Sequence, residues 1–167
     1  IEELLDPNAE GEVAFCTIAA GNVEKISEEE YMDEMETLVY TLNIALDKAS
    51  VHAVTPALKT SLLRRRSLGV GMTGLAGKLY SEGLDYDGSE ESLQAVFDLA
   101  ELHYFSLLAA SQKYAAETGT VVTEGIDINW LPKDTMRSKR TTRLDWESLR
   151  GKPRANSVLA ALMPTES

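Results

Sequence analysis

Leu68-Gly-Val-Gly-Met-Thr-Gly-Leu75 carries glycines at positions 69, 71 and 74, the G-x-G-x-x-G spacing that lets a backbone approach the pyrophosphate of a dinucleotide. Such a site also needs an apolar strand ahead of the first glycine and an acidic residue ending a second strand about 20 residues later. Here residues 64–67 read Arg-Arg-Arg-Ser, and the stretch around Gln94 has a helical pattern. The octapeptide is therefore read as a glycine-rich strand-to-helix turn where two elements approach closely. An NAD(P) site built on Gly69, Gly71 and Gly74 is the competing reading, and what stands on either side decides the fold.

Upstream, Ser27 and Glu30 form a capping-box pair ahead of Tyr31, Met35, Leu38, Val39, Leu42, Ala45, Leu46 and Ala49, which recur at helical spacing. The carboxylates Glu28, Glu29, Glu30, Asp33, Glu34 and Glu36 crowd the first turns of this helix, where negative charge complements the dipole. They are read as a solvated face rather than as metal ligands. Thr55-Pro56 opens a second helix through Leu58, Leu62 and Leu63 to the basic triplet Arg64, Arg65 and Arg66, which suits a helix C-terminus. Nearer the start, residues 1–11 are acidic and contain Pro7, Asn8 and Gly11, a loop leading into the apolar run 13–20. That run predicts a buried strand with a shielded Cys16.

Downstream, Ser89 caps a long helix through Leu93, Val96, Phe97, Ala100, Leu107, Leu108, Ser111 and Tyr114, which stops near Gly119. A less regular stretch, 120–143, holds Lys133, Arg137, Lys139, Arg140 and Arg143 and is the most basic part of the chain. A short helix over 145–150 with Gly151 as its stop precedes a final apolar run, 158–163, which predicts a buried strand. Long helices alternating with short, nearly unbroken apolar strands predict an α/β fold with parallel strands and crossover helices.

The chain has 167 residues, 44% hydrophobic and 26% charged, a balance suited to a packed domain. Lys and Arg number 16 against 27 Asp and Glu, a net charge of −11. That excludes a general nucleic-acid or anionic-membrane surface, because such partners are held by clustered positive charge. An anionic ligand must be held locally. A single cysteine forms no internal disulfide, and no run of roughly 18 apolar residues is available to span a bilayer. No basic segment followed by an apolar run opens the chain and residue 1 is Ile, so a cut or processed, cytoplasmic polypeptide is expected.

Histidine chemistry has little material. His52 and His103 are the two histidines, neither lies in an H-x-x-x-H or H-E-x-x-H arrangement, and both are read as structural or surface residues. No metal site is expected, and no G-x-S-x-G elbow supports a serine triad. Two features remain. Cys16, in Gly11-Glu-Val-Ala-Phe-Cys-Thr-Ile18, is either a small buried hydrophobe or a working thiol. In Leu159-Ala-Ala-Leu-Met-Pro-Thr-Glu-Ser167 a strand ends at Pro164, followed by hydroxyls and free N–H groups that suit either an ordinary helix cap or a phosphate site.

Taken in order, these segments resemble the large subunit of class I ribonucleotide reductases. Gly11-Glu-Val-Ala-Phe-Cys-Thr17 is similar to the strand bearing one member of the family's redox-active cysteine pair, and Arg65-Arg-Ser-Leu-Gly-Val-Gly71 to the start of a further strand. Leu144-Asp-Trp-Glu-Ser-Leu-Arg150 and Asn156-Ser-Val-Leu-Ala-Ala-Leu-Met-Pro-Thr-Glu-Ser167 also match their counterparts in order and spacing. The resemblance implies an α/β fold, part of a ten-stranded α/β barrel with long crossover helices, residues 1–167 being part of a single catalytic domain. It implies reduction of ribonucleoside diphosphates to deoxyribonucleoside diphosphates by radical chemistry, for DNA synthesis. Cys16 would be a reducing thiol, and Thr165, Glu166 and Ser167 would line the substrate diphosphate site, Glu166 through its backbone N–H.

Several family features have no counterpart here: the partner cysteine, the finger loop with its radical-bearing cysteine between an Asn and a Glu, the N-terminal regulatory region, the radical-passing tyrosine pair and the C-terminal cysteines. The chain alone is therefore expected to be inactive, as a fragment or a split-gene product. The resemblance implies as partners the remainder of the large subunit, a metal-radical small subunit, a thiol reductant such as thioredoxin or glutaredoxin, and nucleotide effectors. None of these cofactors is expected to bind this segment. It implies no nucleic acid, no membrane, and a cytoplasmic location, or the host cytoplasm for a viral protein. The alternative from a different class is a stand-alone soluble interaction domain without catalytic activity.

Overall fold

The strands Thr17–Asn22 (β1) and Leu68–Thr73 (β2) pair in parallel, with Thr17 opposite Leu68 and Asn22 opposite Thr73, in a computed structural model that describes residues 13–123, 126–135 and 141–162. Residues 158–162 run along the other edge of β2. Val70 bridges Ala160 in parallel, its N–H donating to the Leu159 carbonyl at 2.9 Å, while Leu68 N–H donates to the Val158 carbonyl at 2.9 Å. The spatial order is β1, β2, then the 158–162 segment, all in one direction, as parallel strands joined by helical crossovers require.

Strand periodicity then separates two faces. Leu68 and Val70, both fully buried, join Ala19 and Met72 in the core with Met35, Val39, Leu42, Leu46, Leu102, Phe105, Leu107 and Leu108. A Cβ at Gly21 would stand 2.9 Å from the Met35 methyl, so glycine there lets the helix above approach the sheet closely. The opposite face carries Cys16, Ile18, Gly69 and Ala161, and Ile18 is 56% exposed.

The core helices are Tyr31–Val51 (α1) and Glu90–Thr118 (α4), with Pro56–Arg64 (α2), Leu75–Ser81 (α3) and Pro132–Thr135 (α5) shorter. Ser27 Oγ accepts from Glu30 N–H at 3.3 Å and its hydroxyl donates to the Glu30 carboxylate at 2.7 Å, a local variant of the expected box. Thr55 accepts from Leu58 N–H ahead of Pro56, and Ser89 accepts from Ser92 N–H. Gly119 ends α4 in the left-handed conformation, φ 72°. Side-chain caps thus start α2 and α4, and a glycine stops α4.

The differences from expectation have local causes. The first strand begins at Thr17 rather than residue 13, because its partner begins at Leu68 after Arg66 turns the chain at φ 46°. Cys16 is only partly buried, and Val13 and Phe15 are exposed, since no described element covers that face. Two of the three motif glycines, 69 and 71, lie inside β2; only Gly74, at φ 78°, makes the turn into α3. The expected helix at 145–150 is a 3-10 turn, Trp146–Leu149, capped by Asp145. No described helix is long and apolar enough to cross a membrane.

Candidate functional site

Cys16 immediately precedes β1, and its thiol is free. A Cβ built at Gly69 would lie 3.8 Å from Cys16 Sγ, 3.9 Å from Ile18 Cγ1 and 3.2 Å from Ala161 Cβ. Gly69 is therefore a buried point where the Cys16 segment, β2 and the 158–162 segment approach closely, on the face away from the described helices. Thr165, Glu166 and Ser167 lie outside the described residues, as do Arg137, Lys139 and Arg140. Overpacking this contact with Gly69→Val is expected to cost about 1–3 kcal/mol and to slow alkylation of Cys16. The check is denaturant unfolding together with the rate of Cys16 modification in the full-length polypeptide; an unchanged modification rate contradicts this placement.

Buried polar side chains of α1 and α4 tie these helices to the loops around the sheet. Glu101, 7% exposed, accepts from Arg143 N–H at 3.0 Å, Leu144 N–H at 3.2 Å and Trp146 Nε1–H at 2.9 Å. Gln112 Nε2 donates to the Leu149 carbonyl at 2.8 Å. Asn43, Arg66, Ser111 and Asn156 form a second buried group joining α1, the start of β2, α4 and the segment ahead of residue 158. Arg143 pairs with Asp98 at 3.4 Å and Glu28 at 3.7 Å, so part of the basic stretch serves local ion pairing.

His103, 3% exposed, lies beneath β2 between Tyr31 Oη at 2.9 Å and the Val70 carbonyl at 3.1 Å. A neutral ring donating from Nε2 to the carbonyl and accepting from the Tyr31 hydroxyl satisfies both contacts. Burial pushes the Tyr31 hydroxyl up to about 12 and holds His103 below its ordinary 6.5. Below pH 6.5 the unfolded chain takes up a proton that the folded chain refuses, so stability is full above that value and is lost as pH falls toward the folded-state pKa. The melting temperature of the parent minus that of His103→Gln is expected to shrink between about pH 7 and about pH 5; a difference independent of pH contradicts this.

Among the described residues no group of three or more His, Cys, Asp and Glu is placed to hold a metal. A cavity of about 180 Å³ lies among the helices, with Tyr31, Leu79, Leu99 and Leu102 in its wall. Its lining charges are mutually paired, Lys78 with Glu82 at 2.9 Å and Arg143 with Asp98 and Glu28. The buried polar residues belong to no recognisable motif. Their sequence signal is a polar residue at a core position of a helical pattern: Asn43 follows Val39 by four, on the face of Leu42 and Leu46.

Parallel strands with helices packed on one face and a thiol on the other define a segment of an α/β domain. The chain belongs to the ribonucleotide reductase barrel-domain family: the family described as "Ribonucleotide reductase, barrel domain" matches residues 2–167. The ribonucleoside-diphosphate reductase subunit alpha of Haemophilus influenzae is 35% identical over the whole chain, which spans 23% of that protein. The large subunit of Arabidopsis thaliana is 34% identical over 78% of the chain, and subunit alpha of reductase 1 of Escherichia coli is 35% identical over 67%. The chain spans 16% of each of these two.

Proposed function

We propose that this chain is part of the catalytic barrel of a ribonucleoside-diphosphate reductase and that Cys16 is one of the two thiols that reduce the substrate. The observation that carries the reading is the position of the thiol: on the sheet face that no described helix covers, across Gly69 from the 158–162 segment, which precedes Thr165, Glu166 and Ser167 in the sequence. In the proposed reaction two cysteine thiols become a disulfide, supplying two electrons and two protons. The ribose 2′-hydroxyl leaves as water and C2′ gains a hydrogen. Cys16 is the one cysteine among these 167 residues, so the second thiol comes from elsewhere in the polypeptide.

Thr165 and Ser167 would hold the diphosphate through hydroxyl and backbone N–H donors, and Glu166 through its N–H, since its carboxylate repels phosphate. Residues 1–167 would form one part of a single ten-stranded domain. The proposed enzyme works with a metal-radical small subunit, a thiol reductant and nucleotide effectors, none of them held by the residues described here, and acts in the cytoplasm. The test is turnover of ribonucleoside diphosphates by the full-length polypeptide with its small subunit and a dithiol reductant. Deoxyribonucleoside diphosphate is the expected product; no product with an active small subunit overturns the reading.

A further inference from the structure

The cavity of about 180 Å³ among the helices is bounded by the loop ahead of α1, by α3 and α4, and by Arg143. Its depth is apolar. Val23, Tyr31, Leu79 and Leu102 are all buried in its wall, and the Tyr31 hydroxyl is committed to His103 at 2.9 Å. An apolar cavity of about 150 Å³ takes a benzene molecule. This one therefore has room for a single aromatic ring or a branched four-carbon chain.

The mouth is charged, and with both signs. Arg143 stands 3.4 Å from Asp98 and 3.7 Å from Glu28, while Lys78 pairs with Glu82 at 2.9 Å. The two Arg143 separations exceed the ~2.7–2.9 Å of a charge-assisted hydrogen bond. The side chains of Arg143 and Glu28 are 52% and 70% exposed. Solvated pairs of this kind contribute little to stability, so they accept a new partner at small cost. The root of Arg143 is nevertheless fixed, because its backbone N–H donates to the buried Glu101 carboxylate at 3.0 Å.

A molecule that matches both layers carries an ammonium and a carboxylate at one end and an apolar group at the other. In an α-amino acid the nitrogen and the carboxyl carbon sit about 2.5 Å apart on one carbon atom, close enough to face Asp98 and Arg143 together. A peptide segment fits less well, since its amide bonds remove both charges. We propose that this cavity binds a free amino acid with an apolar side chain. The side chain enters between α3 and α4, the carboxylate pairs with Arg143, and the ammonium pairs with Asp98 and Glu28. Cys16 lies on the sheet face away from the helices, so the inference does not rest on the redox reading.

The test is calorimetric titration of the full-length polypeptide with L-phenylalanine, which needs no turnover. Saturable binding is expected. Arg143→Gln, which keeps the backbone N–H to Glu101, is expected to weaken it roughly tenfold or more, the loss that follows removal of one charged hydrogen-bond partner. Ala95→Leu, which narrows the cavity from the half-buried wall of α4, is expected to weaken binding by a similar factor without lowering the denaturant midpoint. Glycine lacks the side chain and N-acetyl-L-phenylalanine amide lacks both charges; each is expected to bind at least roughly tenfold more weakly than L-phenylalanine. No saturable binding of L-phenylalanine up to about 10 mM overturns the site. Equal binding of the amide, or parental affinity in both variants, overturns the assignment of an amino acid to it.

Discussion

Cys16→Ser in the full-length polypeptide is expected to abolish sustained turnover, a fall on the order of a thousandfold or more, because a serine hydroxyl cannot enter a disulfide and so cannot deliver reducing electrons. The substitution changes one partly buried atom beside Gly69 and leaves the core face of β1 untouched, so stability should stay near that of the parent. Single-turnover product from prereduced enzyme is expected to be lost as well, since each turnover consumes two electrons that the Cys16 thiol and its partner supply together. Steady-state rates with an external dithiol and single-turnover product yields are the measurements. Unaffected turnover removes the redox role.

Glu101→Ala is expected to have the largest effect on stability, about 3–5 kcal/mol. The Glu101 carboxylate accepts two backbone N–H groups and an indole N–H. Alanine leaves all three donors without that acceptor, and each unsatisfied buried donor costs about 1–3 kcal/mol. The loss also loosens Trp146, whose ring meets Phe105 edge-on with centroids 5.3 Å apart. The check is the denaturant midpoint at constant slope. A loss below about 1 kcal/mol would mean that water or a rearranged loop replaces the carboxylate.

Legibility in the sequence followed the range of the interactions. Helices α1, α2 and α4 were readable because their signals are local: Ser27 with Glu30, Thr55 before Pro56, Ser89 and Gly119 all lie within a turn of the boundary they set. The first strand was misplaced by four residues because pairing depends on Arg66 and Ser67, some fifty positions away in the chain. Exposure of Ile18 and Phe15 was unreadable for a related reason. An apolar run does not say which of its faces the described residues cover.

The site divided in the same way. Cys16 was legible as a thiol in an apolar run, and its neighbour Gly69 as part of a glycine motif, but their meeting depends on a parallel register between β1 and β2. The basic triplet Arg64, Arg65 and Arg66 suits a helix C-terminus, but α2 ends at Arg64 with Arg65 as its cap, and Arg66 lies beyond it in the turn before β2; that its guanidinium is buried against Asn43 and Asp47 follows from the loop before residue 158 folding back over it. His103 lies in no metal-ligand pattern and reads as structural or surface; its burial between Tyr31 and the Val70 carbonyl makes it structural.

The most direct test of the central claim, that Cys16 is a reducing thiol facing the substrate, is disulfide mapping after one turnover. Prereduced full-length enzyme is given a ribonucleoside diphosphate and its small subunit without external reductant, quenched with an alkylating reagent, and digested for mass analysis. We expect the peptide containing Cys16 to be recovered in a disulfide with a cysteine outside these 167 residues, in proportion to product formed. Recovery of Cys16 as the alkylated free thiol, with product formed in equal amount, would contradict the account.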